Sequence, residues 1–560
     1  MIKINFDYFF GIFLMLGALV FALIIGARPY GDGRSYYWMT KSIVNDGDFI
    51  VDDKDVSRWK NTEFGNITEG IYIFVDKKGI MRYGKPFLYP FIAAPFFIFF
   101  GAKGFAVLNG LLLGSCMVFC YLFLRKYLNK LNAILISVLF FFSSYMPVYS
   151  SWIHPEMMLF FACSFCLWLF FCENKSLLSA LLIGIVSSVK IIFLVLIGPF
   201  IVLMISKKEF KRLNKTLAVF FLGAGSMLIF NFLFFGHISP YTANNRGYTS
   251  LEIENYFTSQ EVVDAVALTS SQLEGVHFNS WGLFFRNLQN FFIGRFTGII
   301  WYAFPIVVLA GVYLVYRSGI QKQERIFGDS ILASALLLIL ILVALRPLNY
   351  FGGKGFICNR YFFILPALLF LPAIKKVKNL KIIFLLFLPG LVVNAHILNY
   401  QLSEKAKTYY FHKYPYLYSA GLYTRIIPLL KYAPLEISQV ESLPIYSVKI
   451  DENISFYFPF GAIKKNKGNI LIGKGQEIVI VENYENNFLL LNKDKEVAKN
   501  KLNLKLGMHN SAESPDEFIL RTDSGTVTLN PRVTLRNIKD KKYKRFYYFK
   551  VKKIMLIQLG

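Results

Sequence analysis

Apolar runs of 15 to 22 residues recur from residue 8 to residue 398 and then stop. The longer of them reach the length an α-helix needs to cross roughly 30 Å of hydrocarbon, and the shorter approach it. A chain built this way must use a bilayer as its solvent. Its composition agrees: 55% apolar and 17% aromatic residues are too many for a soluble enzyme of 560 residues. The sequence therefore predicts a mainly α protein. A polytopic transmembrane helical bundle fills residues 1–400, an interfacial connecting segment 401–440, and a small extracytoplasmic β-rich domain 441–560.

About eleven crossings are expected, near 8–27, 104–124, 131–149, 156–172, 177–189, 191–205, 216–235, 299–316, 328–345, 361–374 and 381–398. The first run, Tyr8 to Gly26, is too long for the core of a signal peptide and lacks a small-residue cleavage site, so it reads as an uncleaved helix. The net charge of +26 would suggest nucleic acid in a soluble protein. Here much of the excess sits in short loops, at Arg125 to Lys130, Lys207 to Lys215, Arg317 to Arg325 and Lys375 to Lys381. By the positive-inside rule these loops and the N-terminus are cytoplasmic, the C-terminal domain is extracytoplasmic, and no nucleic-acid partner is expected. The location expected is the cytoplasmic (inner) membrane, multi-pass. Lys190 interrupts the run 177–205, and a hairpin with Lys190 at its external tip restores the alternation.

Two external loops, 28–86 and 236–290, are long and rich in Asp, Asn, Tyr and Gly, so the chemistry is expected on that side. The stretches 87–101 and 284–297 are apolar but interrupted, and read as re-entrant or interfacial. After residue 440, short alternating runs such as Glu477-Ile-Val-Ile-Val predict strands. Five of the six cysteines fall in or at the end of apolar helices. Cys163-Ser-Phe-Cys166 has metal-ligand spacing, but no second pair accompanies it, and helix packing is the reading preferred.

Four external stretches could carry chemistry. In Tyr30-Gly-Asp32-Gly-Arg34, Asp32 is either a general base held at the membrane surface or the carboxylate of a plain turn. Asn45-Asp46-Gly47-Asp48 follows it. In Arg82-Tyr83-Gly84-Lys85-Pro86, Lys85 beside an interfacial helix suits an anionic head group. In Ser151-Trp152-Ile153-His154-Pro155-Glu156, Glu156 either serves the site or only caps a helix. The Gly-rich stretch from Asn349 to Tyr361 presents Lys354 and Arg360, and such a loop can cradle a phosphate. Lys190 and Arg295 add cations at the same level. Tyr36, Tyr37, Trp38, Trp152 and Trp301 either stack on sugars or form an interfacial aromatic belt.

Taken in order, these stretches resemble the integral-membrane GT-C glycosyltransferases of the protein mannosyltransferase and aminoarabinose transferase type, over roughly residues 8–400. Asp32 after the first helix is similar to that family's first-loop aspartate, with Gly47-Asp48 downstream. Gly84-Lys85-Pro86-Phe87 through Phe100-Gly101 is similar to its Lys-Tyr-Pro-Pro-like interfacial element, with a single proline and a displaced lysine. Asn231 to Pro240 resembles its turn before the second large external loop, and Phe296 to Pro305 its later helix start. Gly352-Gly353 through Asn359-Arg360-Tyr361 resembles its Gly-Gly to Arg-Tyr element, with Phe351 in place of tryptophan and Asn359 where Gly or Pro is commoner.

The resemblance implies transfer of a sugar from a polyprenyl-phosphate-linked donor to a hydroxyl of a lipid, glycan or protein outside the cytoplasmic membrane, with inversion. Asp32 would act as base, while Lys85, Lys190, Arg295 and Arg360 would bind the donor phosphate. Asp46, Asp48 or Glu156 would hold the acceptor or orient those cations. No cofactor is required by this scheme; a divalent cation is compatible with it, but no metal-ligand set is indicated. The competing expectation is a transporter or flippase of polyprenyl lipid or glycolipid, which would show two similar halves, and the sequence shows none.

Overall fold

The computed structural model describes residues 6–29, 32–59, 71–76, 79–238, 246–248, 281–294, 298–345, 358–377 and 379–402, and ten strands between 445 and 559. The helices are α1 (Phe6–Ile25), α2 (Gly33–Asn45), α3 (Asp53–Trp59), α4 (Leu88–Phe100), α5 (Lys103–Leu124), α6 (Lys130–Phe142), α7 (Met146–Ser150), α8 (Glu156–Phe171), α9 (Ser176–Ser187), α10 (Gly198–Ser206) and α11 (Phe210–Phe235). After these come α12 (Trp281–Ile293), α13 (Ile299–Tyr302), α14 (Phe304–Tyr316), α15 (Lys322–Leu345) and α16 (Leu380–Leu402). Among the described residues, α1, α5, α11 and α15 are long and apolar enough to cross a membrane, and shorter apolar helices accompany them. Tyr8, Phe13, Ile24, Phe221 and Leu233 are largely exposed on α1 and α11. Such a surface suits hydrocarbon and not water.

Glycines set how closely the helices pack. A Cβ on Gly110 or Gly114 of α5 would come within 2.9 Å of α1 backbone, so the Gly-x-x-x-Gly spacing lets two helices meet face to face. Gly184 of α9 and Gly223 of α11 do the same, with a Cβ on Gly184 only 2.3 Å from the Phe220 carbonyl oxygen. The α1–α5 pair is antiparallel: Tyr121 Oη and Arg125 Nε, at the end of α5, donate to Asp7 at the start of α1, at 2.5 and 3.1 Å. Near that same end Tyr127 donates to Glu324, which also pairs with Lys375. Three of the basic stretches seen in the sequence, around residues 125, 325 and 375, therefore gather at one end of the bundle.

The other end is built from the long first loop. β1 (Ile71–Val75), β2 (Met81–Tyr83) and β3 (Arg246–Tyr248) form an antiparallel sheet in the order β2-β1-β3, with Ile73 opposite Tyr83 and Ile71 opposite Tyr248. Arg28, just past α1, forms a parallel bridge to Trp152 just before α8: the Arg28 amide donates to the Ser151 carbonyl and the Ile153 amide to the Arg28 carbonyl, each at 2.9 Å. Asn109 of α5 fastens the same loop, donating to the carbonyls of Ser150 and Trp152 at 3.0 and 2.7 Å.

The stretch expected as a crossing at 361–374 takes an irregular form. Residues 361–374 form no α-helix but two 3-10 segments, Leu365–Phe370 and Pro372–Lys376. Pro366 and Pro372 lack the amide that would continue a helix, and Leu371 is extended between them. Cys163 and Cys166 are buried within α8. Further along, β4 (Ile445–Ile450) to β13 (Ile554–Leu559) form two antiparallel sheets, one of four strands and one of six.

Candidate active site

Asp32 sits directly before α2, and its carbonyl accepts from the amides of Ser35 and Tyr36 at 3.0 and 3.4 Å. A Cβ on Gly33 would lie 2.8 Å from the Ile153 carbonyl oxygen, so only glycine lets this turn approach the loop before α8. Ser35 Oγ accepts from the Tyr72 amide at 2.8 Å and ties α2 to β1. Lys85 follows β2 and reaches back, its Nζ 3.6 Å from the centre of the Tyr72 ring and 3.1 Å from Asp32 Oδ2. Arg360 meets the same oxygen at 3.2 Å from 328 residues away in sequence. Cys358, two residues earlier, has φ +56°, a left-handed turn that a non-glycine residue adopts rarely.

A second carboxylate lies alongside. Glu156, the first residue of α8, is fully buried; its Oε1 accepts from Lys190 Nζ at 2.8 Å and its Oε2 lies 3.0 Å from His154 Nδ1. Lys190 occupies the turn between α9 and the 3-10 segment Ile191–Ile197. The Tyr361 ring joins the two carboxylate groups, with Lys190 Nζ 4.6 Å and the Arg360 guanidinium carbon 5.3 Å from its centre.

Burial pushes the Asp32 carboxyl up, but Lys85 and Arg360 outweigh it and hold the group well below the usual carboxylate range. Lys85, Lys190 and Arg360 are each less than a tenth exposed. Among the described residues three buried cations face two carboxylates, an arrangement that suits a bound anion.

Five residues singled out in the sequence, Asp32, Lys85, Glu156, Lys190 and Arg360, thus come together. Asp46 and Asp48 make different contacts. Asp46 takes a two-pronged pair from Arg58, and Asp48 Oδ1 accepts from Ser42 Oγ at 3.1 Å and the Ile50 amide at 3.0 Å, closing the turn after α2. Arg295, the Gly-rich stretch 349–357, residues 403–440 and most of the loop 236–290 lie outside the described residues. Tyr36, Tyr37, Trp38 and Trp152 are buried in the packing around the site; Tyr36 meets the edges of Tyr89 and His154. Sequence reasoning gave no role to His154 or Tyr72, although His154 stands two residues before Glu156.

No family model matches the chain, and no curated protein matches it. Among solved structures it is similar to the crystal structure of ArnT from Cupriavidus metallidurans bound to undecaprenyl phosphate, at 10% sequence identity and a TM-score of 0.42, over 77% of this chain and 73% of that one.

Proposed function

We propose that this chain is an inverting integral-membrane glycosyltransferase of the GT-C type, taking a sugar from a polyprenyl-phosphate-linked donor and passing it to a hydroxyl on the extracytoplasmic face. The observation that carries this reading is the convergence of Lys85, Arg360 and Lys190 on two carboxylates at one end of a bundle of apolar helices. That is where a lipid phosphate would present its charge. The topology proposed has about eleven crossings, the basic loops and N-terminus in the cytoplasm, and the strand-rich residues 441–560 outside as a separate domain.

In the resting site Asp32 is a poor base, because two cations share its charge. A donor phosphate entering between Lys85 and Arg360 would draw both toward itself. Freed of them in a partly buried place, the carboxylate gains proton affinity. Asp32 then takes the proton of the acceptor hydroxyl as the acceptor oxygen bonds to the anomeric carbon. The bond from that carbon to the phosphate oxygen breaks, and its electron pair leaves on the phosphate. Lys85, Arg360 and Lys190 stabilise the charge that develops there. Glu156 holds Lys190 in place, and Arg295 is proposed as a further phosphate ligand. The scheme requires no cofactor of its own.

The test is donor binding and transfer by purified protein in nanodiscs, with a labelled mixture of polyprenyl-phosphate sugars. Arg360→Ala is expected to weaken donor binding about tenfold or more, because it removes a charge-assisted contact. Transport of the intact lipid across the bilayer by wild type, with no sugar transferred from any donor, would replace this reading with a flippase.

A further inference from the structure

The end of the bundle away from Asp32 holds a cavity of about 590 Å³ between the starts of α9 and α11. Its position follows from α11 itself, whose 26 residues span about 39 Å. The far end of α11, at Phe235, packs on Phe87, two residues from Lys85. The cavity therefore opens at the opposite end of the bundle from the candidate active site.

Its lining is basic without a carboxylate: Lys175, Lys211 and Lys215 surround it with Arg212, above Leu177 and Leu178. Arg212 is structural. It donates to Ser176 Oγ at 3.0 Å and to Asn174 at 2.5 and 3.1 Å, and pairs with Glu209 at 3.1 Å, so it clamps the two helix starts together. The three lysines carry the open charge. Lys211 and Lys215 stand one helical turn apart on the same face of α11, and no ion pair engages any of the three among the described residues. The lining turns apolar at Leu177 and Leu178, exposed on α9; beyond the cavity, Phe221 and Leu222 are exposed farther along α11.

We propose that this cavity binds the head group of an anionic phospholipid, its phosphate among Lys175, Lys211 and Lys215 and its acyl chains along the exposed leucines and phenylalanine. A free phosphate shares the head group's charge but gains nothing from the apolar wall, whereas a lipid uses both. The volume is within the range of small-ligand sites, and basic pockets at the helix ends of membrane proteins suit such head groups.

Native mass spectrometry of the full chain tests this, with phosphatidylglycerol, phosphatidylcholine or inorganic phosphate added to the detergent-solubilised protein. Wild type is expected to retain one phosphatidylglycerol in preference to phosphatidylcholine, with no displacement by millimolar inorganic phosphate. The combined Lys175→Gln, Lys211→Gln and Lys215→Gln variant should lose that lipid at least about tenfold. A control with Lys322→Gln, Lys376→Gln and Lys381→Gln removes the same charge from exposed positions elsewhere and should keep it. Equal retention by the first variant, equal loss by the control, or displacement of the lipid by phosphate would overturn the proposal.

Discussion

Asp55 shows how one buried side chain sets a measurable property. It lies in α3, almost fully buried, 3.2 Å from an Arg58 that gives its two better contacts to Asp46. Burial raises the Asp55 carboxyl to about 7 against the pull of Arg58, with Asp52, Asp46 and Asp48 adding to the rise. The unfolded chain releases this proton near 3.9. Between those values the folded form keeps a proton that the unfolded form has lost. The contribution to stability is thus full below about 3.9 and is lost as pH rises through about 7. Thermal unfolding of wild type and Asp55→Asn across that window should diverge, with wild type losing stability toward pH 7 and the variant lacking that component. Parallel curves would show that the site is not protonated. At the same scale the sequence made Asp32, Lys85, Glu156, Lys190 and Arg360 visible, because charges beside apolar runs stand out. It could not separate Asp46 and Asp48 from them. All four carboxylates sit in polar loops, and only the contacts made by Arg58 and Ser42 distinguish a structural aspartate from one facing a cation cluster.

At the scale of elements, the positions of the long helices were legible because a run of apolar residues needs no tertiary context to declare itself. Segments whose form depends on partners were not. α2 and the sheet of β1, β2 and β3 lie inside what reads as polar loop, since their pairing joins residues as distant as Ile71 and Tyr248. The stretch after Tyr361 reads by hydropathy as one α-helix, and its prolines divide it into 3-10 segments. Helix contacts supply a paired test. Gly184→Ala places a methyl against the Phe220 carbonyl, while Gly225→Ala on the same α11 meets nothing within 4 Å. The first should cost about 1–3 kcal/mol by overpacking. The second should be neutral or stabilise slightly, since alanine favours a helix over glycine. Thermal midpoints in detergent distinguish them, and equal midpoints would mean that α9 and α11 do not approach so closely.

For the molecule as a whole, charge gathers at both ends of the helical bundle. Arg125 and Lys375 gather at the end that holds Asp7 and Glu324. At the opposite end Lys85, Lys190 and Arg360 are buried and matched against Asp32 and Glu156. The sequence placed these residues on one side from loop lengths and charge alternation. It could not show that Lys85 and Arg360 share one carboxylate oxygen, because that contact depends on how α2, β2 and the turn at Cys358 pack. In the proposed reaction this carboxylate accepts the acceptor's proton. The direct measurement is single-turnover sugar transfer from a bound polyprenyl-phosphate donor by wild type and Asp32→Asn, with donor binding measured on the same samples. Asp32→Asn is expected to lose roughly 100-fold or more in the transfer rate with donor binding kept. Transfer at the wild-type rate by Asp32→Asn would contradict it.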